Sequence, residues 1–220
     1  MNKKYKIYEG YHFTKEYFEG LSLNDLLNLP NEEKIKLAKY FTEQLTEEGF
    51  DEVTVEEVEE YISKFKNQLL EDLKTTEKNL LNKNFSVNIY RGIKVVSEED
   101  IWLDYLGVCW TTNKECARDY TDIENALGAK YLVIFEGETS STNIDWVESL
   151  LLYIIYGDAE HELRVKDSST KKIYLKSYEL ETLQYTEDYE DDEGYEETPY
   201  IHKYIQGKEL KDKIRKANEK

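Results

Sequence analysis

Only two cysteines occur in the 220 residues, Cys109 and Cys116, seven positions apart. That excludes the disulfide framework of a small secreted domain. The three histidines form no cluster around the thiols, so the ligand spacing of a zinc site is missing and no metal is expected. The longest apolar stretch, Leu150 to Tyr156, is far too short to span a bilayer. No apolar run follows the opening Met-Asn-Lys-Lys-Tyr-Lys, which predicts no signal peptide. The glycines make no phosphate-cradling loop, and no internal repeat is visible. These absences describe a protein of a reducing cytoplasm, without membrane attachment.

Acidic residues are abundant. Asp and Glu number 47 against 29 Lys and Arg, a formal net charge of −18. Such a surface repels phosphate backbones, so a nucleic-acid partner held by counterion release is disfavoured. A basic protein partner suits it better, and the same charge also keeps a protein soluble. Apolar residues make up 40 % and aromatics 13 %, enough for a real core in one substantial domain.

Residues 1–84 read as helical. Asn31 followed by Glu32 and Glu33 predicts a helix start, with Ile35, Ala38, Phe41 and Leu45 on one face and Gly49 as the C-cap. Thr54 and Glu57 form a capping-box pattern. The apolar spacing of Val58, Ile62, Phe65, Leu69 and Leu73 predicts a helix from there to about Leu81. From Phe85 the period changes to two, predicting a strand that ends at Arg91-Gly92. Further strands are expected over Leu106–Thr111, Lys130–Glu138, Glu162–Lys166 and Lys172–Glu179. A short helix from Thr112 or Asn113 to about Tyr120 and another over 143–156 separate them. Residues 185–220 hold an acidic, tyrosine-rich stretch (Tyr185–Glu197) and then a lysine-rich helix over Lys208–Lys220. Helices first and strands later make the class α+β, with a helical part at 1–84 and a β core at 85–184.

Three short motifs follow in order: Tyr90-Arg91-Gly92, Cys109-Trp110-Thr111-Thr112-Asn113, and Glu160-His161-Glu162. In a strand, residues i and i+2 share a face, so two such glutamates can converge on one centre. Any one motif alone is common. E-x-E recurs by chance in so acidic a chain, as at Glu57-Val58-Glu59 and Glu136-Gly137-Glu138. In this order and context the three resemble the arginine–serine–glutamate class of mono-ADP-ribosyltransferases, over Phe85 to Lys166. The resemblance implies a mostly antiparallel split β-sheet core around an NAD cleft, covered by the N-terminal helices.

It also implies roles. Cleavage of the nicotinamide–ribose bond builds positive charge on the sugar, and Glu162 is the carboxylate expected to stabilise it. Glu160 is expected to hold the guanidinium of an arginine acceptor in a bidentate grip. Arg91, with Tyr90 and Gly92 beside it, is expected to fork onto NAD. Cys109, Trp110 and Thr111 stand at the family's serine motif, with cysteine where that motif has serine. A thiol is the weaker hydrogen-bonding group, so either Thr111 and Thr112 supply the hydroxyl or activity is reduced. Tyr156 is expected to touch the acceptor, while Trp146 and Tyr153 are expected in the core. The partners implied are NAD, as co-substrate, and a protein with an exposed arginine and a basic face. A toxin and a phage-type enzyme that modifies host proteins both fit, acting in the cell's own cytoplasm or a host's. Two alternatives stay open. One is a transferase fold with weak or lost activity that serves as an acidic partner-binding module. The other is an NAD hydrolase with water as acceptor.

Overall fold

In the computed structural model, residues 15–18, 20–46, 49, 51–104, 106–119, 129–157, 161–182 and 202–219 are described. Tyr120, Glu160 and the stretch Tyr185–Glu197 lie outside them. In chain order the elements are α1 (Lys15–Phe18), α2 (Leu23–Leu27), α3 (Asn31–Thr46), α4 (Val55–Asp72), α5 (Glu77–Leu80), β1 (Ser86–Val95), β2 (Cys109–Thr111), α6 (Lys114–Asp119), β3 (Tyr131–Ser140), β4 (Ile144–Asp145), α7 (Trp146–Tyr156), β5 (Glu162–Val165), β6 (Ile173–Thr182), β7 (His202–Gln206) and α8 (Gly207–Asn218). The chain is α+β. It forms two compact units of two segments each: Met1–Val87 with Ser140–Lys166, and Asn88–Thr139 with Asp167–Lys220. Among the described residues no helix is long and apolar enough to cross a membrane.

The first unit is mainly helical. Helix α3 starts one residue earlier than the sequence suggests, since the Pro30 carbonyl accepts from the backbone N–H groups of Glu33 and Lys34 at 2.9 and 3.0 Å. Its buried face is Leu37, Ala38, Tyr40, Phe41 and Leu45. Ile35, expected inside, is exposed, because that face is centred on the Leu37–Phe41–Leu45 row. Gly49 closes the C-terminal end with φ +85° and its N–H on the Thr46 carbonyl.

Helix α4 carries the expected capping box. The Thr54 hydroxyl accepts from Glu57 N (3.2 Å), and the Glu57 carboxylate accepts from Thr54 N (2.7 Å). The helix buries Val58, Ile62, Phe65 and Leu69 but stops at Asp72 rather than near Leu81. Lys74 turns into the left-handed region at φ +45°, and the Thr76 side chain caps the separate short helix α5. Local hydrogen bonding overrides an apolar spacing that continues past the break.

Thr54→Ala is expected to destabilise the protein by about 1 kcal/mol, read as a lower urea midpoint. The effect depends on pH. The Thr54 N–H and then its hydroxyl hold the Glu57 carboxyl below its ordinary range. A depressed folded pKa contributes stability that is present above the ordinary carboxylate range and lost as pH falls through the lowered value. Alanine keeps the backbone N–H, the larger cause, and loses only the hydroxyl, so the gap between wild type and variant should narrow in acid by the hydroxyl's share alone.

Helix α7 packs Trp146 against Phe65 and Phe85, with ring centroids 6.5 and 6.2 Å away. The indole N–H donates to the Ser141 carbonyl at 2.9 Å. Tyr153 meets Phe65 at a tilt, centroids 5.6 Å apart, and is half-buried, so Trp146 is the core residue expected and Tyr153 lies at its edge. The helix begins at Trp146 rather than at 143, because Ile144 and Asp145 pair with Val165 and Arg164 of β5 instead. Asp145 caps α7 through its side chain on Glu148 N.

The second unit is built on strands in the order β2-β1-β3-β6-β7. The pairs β1/β2, β3/β6 and β6/β7 are antiparallel. Leu132 to Phe135 are buried in succession, as befits a central strand covered on both faces. Ala117 of α6 packs with Leu132 and Ile134, and Phe135 meets Tyr178 of β6 at 5.8 Å. Strand β6 runs on to Thr182, past the Glu179 expected as its end, because β3 supplies partners through Tyr131↔Thr182. The carboxylates this places in the sheet are matched: Glu179 pairs with Lys114 and Arg118, and Glu181 with Arg118 at 2.8 Å. Strand β2 is confined to Cys109–Thr111, shorter than the expected Leu106–Thr111.

Candidate functional site

Two of the three motifs meet in the second unit. Tyr90 lies opposite Thr111 across the β1/β2 ladder, so the arginine motif and the cysteine motif run side by side. Arg91 is half-buried, and its Nη1–H donates to the carbonyl of Cys109. Gly107 leaves the room that the guanidinium fills. Its φ is +77°, and a Cβ built there would stand 2.5 Å from Arg91 Cζ and 2.6 Å from Nη2. Nothing in the motif pattern pointed to Gly107, because beyond its left-handed backbone its requirement comes from a guanidinium sixteen positions away.

The other residues of this group take distinct places. Trp110 is a core residue at 2 % exposure, and its indole N–H donates to the Gly107 carbonyl at 2.9 Å. It therefore anchors the glycine that boxes Arg91. Tyr90 is half-buried against Ala117, Leu132 and Ile134. Thr111 is buried, and its hydroxyl accepts from Asn113 N at 3.1 Å. Asn113 is the cap of α6: its side chain accepts from Glu115 N and its carbonyl from Ala117 N. The Thr111 hydroxyl thus bonds at the turn into α6, while Thr112 and the Cys109 thiol are half-buried. Gly92 does not end β1 as expected: the strand runs on to Val95, since Gly92 has no positive φ to turn the chain.

Glu162 belongs to the first unit, as the first residue of β5. It is half-buried, with carboxyl oxygen Oε1 shielded from solvent. Glu160 lies outside the described residues. Tyr156 ends α7 and is 48 % exposed, immediately before Gly157 at φ +77°.

His161, between the two glutamates, was not singled out by the sequence, yet it is tightly held. It holds a left-handed backbone at φ +50°, uncommon for a side chain of that size. Its Nδ1 lies 2.9 Å from Asp72 Oδ2 and 2.7 Å from Gln68 Nε2, both on α4. Gln68 Oε1 is buried without a donor among the described residues. Turning that amide over places Oε1 on the ring, and Nδ1–H is then shared between two acceptors while the orphaned oxygen is satisfied. The start of β5 is thereby tied to the C-terminal turn of α4. The partners stand 89 and 93 positions away, so no local pattern announces the contact.

Among the described residues no three His, Cys, Asp or Glu side chains group as metal ligands. No known family model matches the chain, and neither a curated protein nor a solved structure does.

Proposed function

We propose that this chain is a mono-ADP-ribosyltransferase that cleaves NAD and transfers ADP-ribose to an arginine side chain of a protein. The observation that carries this reading is the pairing of its first two motifs: the strand with Arg91 lies against the strand with Cys109-Trp110-Thr111, and the arginine is held by that motif's own backbone. A guanidinium has five donors, so the bond to Cys109 does not exhaust it. It is pre-organised to fork onto a phosphate. Glu162 is the carboxylate for the oxocarbenium-like sugar. In this reading Glu160 grips the acceptor guanidinium and Tyr156 touches the same acceptor. The ADP-ribosyltransferase-like fold and the acidic surface, suited to a basic target, belong to the same reading.

The step balances without a further reagent. The bond from ribose C1′ to the nicotinamide nitrogen breaks, and nicotinamide leaves with the electron pair. The acceptor nitrogen then bonds to C1′ and gives up a proton. The test is nicotinamide release from NAD by the purified protein, with and without agmatine. Release that rises with the guanidine supports transfer to arginine. Release indifferent to it favours the hydrolase. No release, with or without the guanidine, overturns the proposal.

Cys109→Ser examines the departure from the family motif. Arg91 bonds the backbone carbonyl at this position, which serine retains, so the substitution changes only thiol to hydroxyl. Nicotinamide release should be equal or faster. A large fall in kcat would assign the thiol a role of its own.

A further inference from the structure

Within the second unit, a cavity of about 420 Å3 opens beside Arg91. Its walls include Lys94 and Val96, Trp102 and Gly107 from the segment leading to β2, and Phe135 of β3. Trp102 is 69 % exposed, whereas the other two tryptophans, Trp110 and Trp146, are 2 % and 1 % exposed. Its neighbour Leu103 is buried, so the segment had an apolar place to offer and does not put the indole there.

The segment is also held at both ends. The Ser97 N–H and hydroxyl donate to Asp100 Oδ2 at 2.9 and 3.0 Å. Ile101 N–H donates to the Glu98 carbonyl, and Leu106 N–H to the Ser168 carbonyl. The exposed indole therefore sits on an anchored turn. Asp100, which also lines this cavity, accepts from the Ser97 N–H and hydroxyl through Oδ2.

An exposed aromatic face, two cations and an apolar floor make up the complement of a nucleotide. A base stacks on an indole whatever its edge pattern. A guanidinium and an ammonium take a diphosphate. The volume falls in the range of small-molecule sites. An arginine acceptor does not suit the same cavity, because Arg91 and Lys94 repel a guanidinium.

We propose that this cavity binds a nucleoside diphosphate, with Trp102 as the platform for the base and Arg91 and Lys94 on the diphosphate. The proposal rests on the function inferred above in assigning that moiety to NAD, and it adds a residue that determines recognition of the adenosine end. ADP alone tests it, without turnover. ADP is titrated into the full-length wild type, Trp102→Ala and Trp102→Phe, by calorimetry and by iodide quenching of tryptophan emission. Trp102 is the exposed emitter. ADP should bind the wild type and shield the emission from iodide. Affinity should fall on the order of tenfold or more in Trp102→Ala and recover in large part in Trp102→Phe. Inorganic pyrophosphate, having no base, should bind wild type and Trp102→Ala alike.

Equal ADP affinity in wild type and Trp102→Ala, or no ADP binding by the wild type, overturns the proposal. The two readings fail separately. If ADP binding depends on Trp102 and no nicotinamide is released under any condition, the site stands and the transferase falls. If nicotinamide is released and neither ADP affinity nor the KM for NAD responds to Trp102→Ala, the transferase stands and the site falls.

Discussion

Glu162→Gln is expected to lower nicotinamide release by at least about 10²- to 10³-fold, the scale on which a fixed group facing developing charge acts in a water-poor site. The substitution keeps shape and volume and removes one negative charge. Glu162 opens β5 and is half-buried, so a smaller residue would also disturb packing, whereas glutamine does not. Loss of one carboxylate from a chain of net charge −18 relieves self-repulsion slightly, which offsets weaker hydrogen bonds at the amide. The urea midpoint should therefore move by no more than about 1 kcal/mol in stability terms, a typical small mutational effect. Activity and stability measured on the same preparation separate the two roles. Wild-type turnover in this variant would remove Glu162 from the chemistry and with it the proposed reaction. A collapse of stability alongside activity would make it a structural carboxylate.

Strong local patterns were legible in the sequence. Alternation from Phe85 gave β1, and Thr54 with Glu57 gave the start of α4, because both signals act within a few residues. Patterns decided by distant partners were not. The apolar spacing through Leu69 and Leu73 suggested one long helix, but Thr76 captures its own cap and Lys74 turns left-handed, so α4 ends at Asp72. Ile144 and Asp145 read as helix until Val165 and Arg164 are available to pair with them. Strand β6 outruns its expected end for the same reason, and Glu179 is tolerated there only because Lys114 and Arg118 come from another element.

The candidate site divides in the same way. The motif residues Arg91, Cys109 and Glu162 were singled out from their order along the chain, and the structure pairs the first two. The groups that hold them in place were not found. Asp72 and Gln68 of α4 fix His161, and Gly107 answers both to its own left-handed backbone and to the guanidinium that lies against it. Trp102 was equally silent, since an exposed indole and a buried one look alike in sequence.

Gly107→Ala should produce the second large effect, and a control isolates its cause. An L-residue at φ +77° carries a left-handed backbone penalty of roughly 1–2 kcal/mol. Gly49 has φ +85° and nothing within 4 Å of a built Cβ, so Gly49→Ala incurs the backbone term alone. At Gly107 the new Cβ also meets Arg91 Cζ at 2.5 Å, far inside van der Waals contact, and the guanidinium must move by about an ångström. It then leaves the Cys109 carbonyl that positions it. Misplacement on that scale in a group that orients substrate costs on the order of 10²-fold in rate. Gly49→Ala should therefore lower the urea midpoint and leave kcat/KM for NAD unchanged. Gly107→Ala should lower the midpoint at least as far and reduce kcat/KM about a hundredfold. Equal kcat/KM in the two variants would mean that the position of Arg91 does not limit the reaction, and the guanidinium would then be a brace for β2 rather than a hand on the substrate.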